Sequence, residues 1–481
     1  MRILLIEDNP GFAIEVERAI RAIPEIDDVV WARSRDGALT ALAAGSCDLV
    51  VLDRRIPSAD DVLDDHPDHG WTVFQAVRTQ SSGTPVWFLT GTEDADFAID
   101  INNAYGKTED LHGLRIAEQM YQVFWKRRIA DCVRKIAEFT ARRAALERIA
   151  VHSQPPTLVL NADESRAIRI CTRRHNGSMV DVTSLNGGLS NSRVLKVVVK
   201  AADTRVLVIA AAKVSSLAET IAEAEKYRKD ISRLAPGGFP QLTERIDAGA
   251  GNTGGLFYGM VGDRVESLFD RIRAGHLSIA QIPSEIRAIM GTWYQGKRVE
   301  QIQISQIRRK LIGDTILHRH RAELEGIDTS GIESRTIPAA TCCQHGDLHC
   351  ANVVFDGRGR AMLIDFGDTG PSFAAVDPVT LELSTIFHSQ HATLPSGWPS
   401  EENMLEWTQI DRATAGCQFG PFVTACREWA NGEAGSPDEV VAVAYAYAMR
   451  QLKYRDTNKQ LARALIRACI EYFRITRTPS G

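Results

Sequence analysis

Asp347, Asn352 five residues on and Asp365 thirteen beyond that sit in HGDLHCAN (345–352) and IDFGD (364–368). The surrounding runs read as strand, and strands rarely carry two histidines, two aspartates and an asparagine. Phosphoryl transfer asks a protein for little covalent chemistry. It needs a carboxylate to take the proton of the attacking hydroxyl and oxygen ligands for the metal that neutralises the phosphates. Asp347 suits the first role, Asn352 and Asp365 the second. The runs VVF and MLI on either side of DGRGR would form a short hairpin that brings Asn352 and Asp365 together. Cys342, Cys343, His345, His349 and Cys350 crowd the same region, but neither a paired C-x-x-C nor a C2H2 spacing occurs. Ordinary cytosolic thiols are the better reading than a zinc knuckle.

A second set of acids lies at the ends of apolar runs near the N-terminus. Glu7 and Asp8 follow RILLI, Asp53 ends DLVVLD and Thr90 ends the apolar part of TPVWFLTG. Hard oxygen ligands of this kind suit Mg2+, which keeps several waters or phosphate oxygens in its shell. Any one of these acids alone would be a solvated loop residue, but four ordered positions are harder to set aside.

A third set is weaker. SLNGGLSNSRV places Gly187, Gly188 and Ser190 between apolar strands, where backbone N–H groups could approach an anion, although Gly-Gly is more often just a turn. VLVIAAAKV carries Lys213 near a strand end, and an amphipathic helix follows with Glu219, Glu223 and Glu225. GLFYGMVGDRVESLFDRI (255–272) offers a strand, a break and a helix start.

The elements that must position these residues divide into two kinds. Residues 1–150 alternate short apolar runs (2–6, 28–32, 48–53, 84–91) with helical patterns (12–23, 36–45). This predicts βαβ units on a doubly wound parallel sheet, with functional residues at the strands' carboxyl ends. A helix over 133–151 closes this domain, and HSQPP breaks the pattern. Residues 151–183 form a linker with leading strands, in which TLVL and IRICTRR read as strands. Residues 184–262 read as a strand-rich stretch and 263–481 as a longer, helix-rich one. Its alanine and aromatic stripe, VVAVAYAYAMRQLKYRD, is core packing.

The composition supports folded domains: of 481 residues, 44% are hydrophobic and 24% charged, enough for two or three cores. A net charge of −5 argues against a nucleic-acid partner and an anionic membrane surface alike. No apolar run approaches the length of a bilayer span. Nine scattered cysteines without secretory context point to a cytoplasmic location.

Residues 1–145 resemble the receiver domain of two-component response regulators. The matching residues are the acidic pair Glu7–Asp8, Asp53 with Pro57 four places on, Thr90 and Lys126, with Lys107 as a second candidate for the lysine. The resemblance implies a flavodoxin-like fold, an aspartyl phosphate on Asp53 formed with Mg2+ bound by Glu7, Asp8 and Asp53, a Thr90 and Lys126 switch, and a histidine kinase as partner. The loop after Asp53 and the segment between Thr90 and Lys126 are longer than the family pattern. From residue 184 onward the chain resembles the aminoglycoside phosphotransferase and choline kinase family, of protein-kinase-like fold. HGDLHCAN corresponds to its catalytic loop and IDFGD to its metal motif, with His349 and Asp368 favouring this family over ordinary protein kinases.

This second resemblance implies ATP and Mg2+. It assigns Asp347 as base, Asn352 and Asp365 as metal ligands, and Lys213 with Glu223 (or Glu225) to the nucleotide phosphates beside Gly187, Gly188 and Ser190. It also implies a hinge from Tyr258 to Val261 facing adenine, a supporting role for Asp377, and an acceptor bound by about 372–481. The expected function is a receiver-regulated phosphotransferase acting on an unidentified hydroxyl, with homodimerisation as a further expectation. The rival reading is a catalytically silent kinase fold serving as a switchable scaffold.

Overall fold

The computed structural model describes residues 1–91, 95–185, 193–260, 266–395 and 397–476. They form two compact units, Met1–Ala224 with Gln241–Met260, and Glu225–Pro240 with Val261–Gly481.

In the first unit, β1 (Arg2–Ile6), β2 (Asp28–Ala32), β3 (Leu49–Asp53), β4 (Val86–Thr90) and β5 (Tyr121–Trp125) make a fully parallel sheet in the order β2-β1-β3-β4-β5. Every residue of β3 and β4 is buried, as a parallel sheet covered on both faces requires. Helices α1 (Pro10–Arg21) and α5 (Ile129–Glu147) supply Val16, Ile20 and Ile136 to one apolar layer. Helix α3 (Pro67–Gln80) supplies Val73, Phe74 and Val77 to the other; α2 (Arg35–Ala44) and α4 (Ala95–Tyr105) complete the helical set. The Asn9 side chain starts α1 by accepting from the Phe12 N–H at 3.1 Å, with proline at the next position. The segment between Thr90 and Lys126 carries a small antiparallel ribbon, Thr108–Glu109 with Glu118–Gln119.

The same unit holds a six-stranded sheet of β6 (Ala150–Gln154), β7 (Met179–Ser184), β8 (Arg193–Lys200), β9 (Val206–Ser216), β10 (Leu242–Ile246) and β11 (Thr253–Gly259), in the order β10-β11-β9-β8-β7-β6. Only the β6–β7 pairing is parallel. Two expected strands are absent. Residues 157–160 adopt no regular structure, and IRICTRR lies inside helix α6 (Ala162–Arg174). A reciprocal capping box starts that helix: Asn161 Oδ1 accepts from the Glu164 N–H at 2.8 Å, and Glu164 accepts from the Asn161 N–H at 2.9 Å. Its apolar residues alternate over too few positions to be told from a strand without that cap. Helix α7 (Leu217–Lys229) follows β9 directly.

The second unit is built around β12 (Thr336–Gln344), paired antiparallel with 298–303 and later with β15 (Gly370–Phe373), and the hairpin β13 (Val353–Phe355) and β14 (Ala361–Leu363). Helices α8 (Val376–Phe387), α9 (Gly420–Glu433), α10 (Pro437–Gln451) and α11 (Lys459–Ile475) pack beside it. Residues 439–449 of α10 are all buried, so the alanine and aromatic stripe is core, as its composition suggested. Inside this core Glu382 accepts from Arg427 at 2.6 and 2.9 Å and from the Trp407 indole at 2.8 Å. Such a pair persists only because each charge finds the other. Among the described residues no helix is long and apolar enough to cross a membrane.

Candidate functional site

Three clusters form, each at the ends of elements. At the carboxyl ends of β1, β3 and β4, the ligand oxygens of Glu7, Asp8 and Asp53 lie within 4.8 Å of one another. Thr90 is buried at the end of β4. Lys126, one residue past β5, places Nζ 2.7 Å from Asp53 and 2.7 Å from Glu7. Lys107 instead pairs with Glu109 at 2.9 Å on the ribbon, so Lys126 occupies the pocket. Burial, reinforced by Asp53, pushes the Glu7 carboxyl up to about 7 despite the opposing lysine. Burial likewise raises Asp53. Burial alone would lower the Lys126 ammonium, but Asp53 and Glu7 outweigh it and hold it above its usual value. Three carboxylates face one ammonium, a formal excess of two negative charges that a divalent cation would offset. The residues therefore fit Mg2+.

On the six-stranded sheet, Lys213 of β9 pairs with Glu223 of α7 at 2.8 Å, both largely shielded from solvent. The Tyr258 hydroxyl donates to the other Glu223 oxygen at 3.2 Å. Helical spacing favoured Glu223 with Glu225 as the alternative, and it is Glu223 that pairs with Lys213. Tyr258, expected for its backbone, also supports the pair through its side chain. Glu219 caps its own helix, accepting from the Ser216 N–H at 3.3 Å. Gly187, Gly188, Ser190 and Val261 lie outside the described residues.

The third cluster follows β12. Asp377, fully buried at the start of α8, accepts from the His345 N–H at 2.6 Å and the Gly346 N–H at 2.9 Å. Its own N–H donates to Gln344 at 3.1 Å. Gly346 has φ +85°, and a Cβ there would stand 2.5 Å from the Asp368 carbonyl, so only glycine fits. Asn352 donates its side-chain amide to the Asp347 carbonyl at 2.9 Å, which leaves the amide oxygen as its contribution to a cation. The Ile364 N–H donates to the Asn352 carbonyl at 3.0 Å, and the β13–β14 hairpin brings Asn352 and Asp365 to one place, as expected. Asp365 holds a left-handed φ of +61°, a backbone state that aspartate adopts more readily than most side chains. An amide oxygen and a carboxylate are the donor set a hard cation takes, so these residues also fit Mg2+.

The zinc alternative finds no support among the described residues, whose one group of compatible ligands is the acidic triad. His345 and Cys350 are instead spent inside the loop, His345 Nε2 on the Ile364 carbonyl at 2.9 Å and the Cys350 thiol on the Leu381 carbonyl at 3.8 Å. His349 lies 3.6 Å from Asp347 and stacks on His388 at 4.6 Å. Burial drives its imidazole down to about 4.

Sequence reasoning missed Arg450. At the end of α10 it donates to Asp347 Oδ1 at 3.2 Å. Burial would lower its charge affinity, but Asp347 outweighs that and the guanidinium is held above its usual value. The one available signal was an arginine closing an otherwise apolar stripe.

The family model for the response regulator receiver domain matches residues 3–106, and the model for the phosphotransferase enzyme family matches residues 308–413. The first covers Glu7, Asp8, Asp53 and Thr90 and stops short of Lys126; the second covers Asp347, Asn352 and Asp365 but not Arg450. No curated protein matches the chain. Among solved structures, the receiver domain of the Francisella response regulator 1452 is 18% identical over 29% of this chain and 98% of its own, with TM-score 0.21. Choline kinase from Cryptosporidium parvum is 12% identical over 64% of this chain and 96% of its own, with TM-score 0.32. An aminoglycoside-3'-phosphotransferase of type VIII is 15% identical over 56% and 100%, with TM-score 0.31.

Proposed function

Because the chain joins a response regulator receiver domain to a phosphotransferase-family domain of kinase-like fold, we propose that it is a phosphorylation-controlled, ATP-dependent phosphotransferase. The boundaries we assign are 1–150 for the receiver, 151–183 for the connecting elements, 184–262 for the nucleotide lobe and 263–481 for the catalytic lobe. Asp53 accepts a phosphoryl group from a partner histidine kinase. Lys126 then pairs with the new phosphate oxygens and Thr90 reads them.

In the larger lobe Asp347 removes the proton of an acceptor hydroxyl as that oxygen bonds to the terminal phosphorus of ATP, and the bond to ADP breaks. Lys213, oriented by Glu223, holds the donor's phosphates. Asn352 and Asp365 would hold Mg2+, which neutralises phosphate charge when bound. Arg450 positions the Asp347 carboxylate.

The Lys213–Glu223 pair carries this reading. The lysine, held at 2.8 Å by a shielded helix glutamate that also accepts from Tyr258, is a fixed ammonium of the kind that takes nucleotide phosphates. The test is release of ADP from Mg·ATP, with water or an added alcohol as acceptor. Lys213→Met and Asp347→Ala should each lower it at least ~100-fold. If wild type binds Mg·ATP yet releases ADP no faster than Asp347→Ala, the fold is a scaffold and the transferase reading fails.

A further inference from the structure

The turn between β10 and β11, residues 247–252, is gripped on two sides. On the receiver side the Gly83 N–H donates to the Gly251 carbonyl at 3.0 Å, and the Gly249 N–H donates back to the Gly83 carbonyl at 3.1 Å. Arg143 of α5 donates to the Gly249 carbonyl at 2.9 Å and to Asp48 at 3.0 Å, and Arg166 of α6 reaches the same Asp48 oxygen at 2.9 Å. Ala248 is buried in the receiver's own apolar layer with Leu111. The approach leaves no slack. A Cβ on Gly83 would stand 2.5 Å from the Gly251 carbonyl, and one on Gly249, at φ +83°, would stand 2.4 Å from the Leu111 carbonyl. A second clasp lies alongside, with Arg174 on Asp110 at 3.0 Å and on Glu244 at 3.1 Å, and Arg115 on Glu244 at 2.8 Å.

On the other side the turn holds helix α7. The Asn252 carbonyl accepts the N–H of Leu217, the first residue of α7, at 2.8 Å. A Cβ on Gly254 would stand 2.6 Å from Thr220 Oγ1, so the first turn of α7 sits directly on β11. Three residues beyond Thr220 on the same helix is Glu223, the partner of Lys213.

The receiver strands run from this seam to the phosphorylation pocket. Asp48 immediately precedes β3, which ends at Asp53, and Gly83 lies three residues before β4, which ends at Thr90. Each five-residue strand spans about 16 Å. Nor is there a flexible tether, since only Arg148 and Ile149 separate α5 from β6.

We infer that the 247–252 turn is the coupling element by which the state of Asp53 reaches the nucleotide clamp: β3 and β4 bear on the turn, and the turn sets the start of α7 and hence Glu223 against Lys213. Packed seams of this kind shift between discrete arrangements rather than stretching, which lets a small displacement at one side appear at the other. The inference rests on the reading of Lys213 and Glu223 as a nucleotide clamp.

The test is Mg·ADP affinity of the full chain with and without beryllofluoride, which mimics the aspartyl phosphate, for wild type, Asp48→Asn and Arg143→Met. Wild type should change affinity about 5- to 150-fold. Both variants should keep their basal affinity and their beryllofluoride binding but lose the response to below twofold. Hydrogen exchange over 216–224 should change on beryllofluoride addition in wild type alone, and melting curves confirm that the variants are folded. If the variants respond as wild type does, the turn is not the link, while receiver control itself stands. If wild type binds Mg·ADP and beryllofluoride with no change in affinity, coupling to the clamp is refuted. If wild type fails to bind Mg·ADP at all, the clamp reading fails and takes this inference with it.

Discussion

Replacing Asp377 by asparagine tests whether the catalytic loop is held by one buried carboxylate. Asp377 accepts two backbone N–H groups, from His345 at 2.6 Å and Gly346 at 2.9 Å, in a fully buried position. Asparagine has the same shape but one acceptor oxygen. Its NH2 must face one of the two N–H donors, leaving that donor buried and unpaired at a cost of about 1–3 kcal/mol. The remaining bond loses its ionic assistance, roughly another 1 kcal/mol. The loop should therefore open locally about 2–4 kcal/mol more easily, which is about a 30- to 900-fold faster amide exchange at His345 and Gly346. Asp347 lies one residue beyond Gly346, and a displacement of about 1 Å there costs on the order of 100-fold in rate. Hydrogen exchange of the full chain reads the first effect, and ADP release from Mg·ATP the second. If both stay within twofold of wild type, the carboxylate does not hold the loop and the reasoning is wrong.

Other perturbations test neighbouring parts of the account. Lys126→Met leaves Glu7 and Asp53 without their ammonium at 2.7 Å and should destabilise the receiver by about 2–3 kcal/mol, below the roughly 3–5 kcal/mol of a fully buried pair because Lys126 is partly exposed and Glu7 can take a proton; millimolar Mg2+ should restore part of the loss in thermal melting. Arg450→Met should lower the rate of ADP release about tenfold with the KM for ATP unchanged, and Arg450→Lys should recover little, because an ammonium lacks the planar fork; equal effects on rate and KM would rule out a positioning role. His349 is held down to about 4 by burial, so below the unfolded value of about 6.5 the unfolded chain takes a proton that the folded chain refuses, and stability falls as pH drops from about 6.5 to 4. His349→Gln should flatten that part of the melting temperature against pH curve relative to wild type.

Much of the chemistry was legible because it sits at element ends. Glu7, Asp53 and Thr90 follow apolar runs whose strand character was plain, and burial on both sheet faces leaves such residues nowhere to go but the strand ends. The Asn352–Asp365 juxtaposition was legible because one short hairpin creates it. What sequence could not resolve depended on long-range packing. Sequence ranked Lys126 above Lys107 and Glu223 above Glu225, but the pairings themselves are made by which side chain the fold turns toward Asp53 or Lys213. Arg450 meets Asp347 only because α10 ends beside the loop, 103 residues away in sequence. The misreading of IRICTRR had a local remedy: Asn161 and Glu164 stand at capping-box spacing and announce a helix. That error mattered, since α6 supplies Arg166 and Arg174, two of the residues that clasp the receiver.

The most direct measurement is ADP release from Mg·ATP by the full chain, with and without a phosphodonor for Asp53, in wild type, Asp53→Asn and Asp347→Ala. The account predicts a wild-type rate that changes with the phosphodonor, an Asp53→Asn rate that does not, and loss of at least ~100-fold in Asp347→Ala under both conditions. A rate indifferent to Asp347 contradicts the phosphotransferase, and an Asp347-dependent rate that responds identically in wild type and Asp53→Asn contradicts control by the receiver.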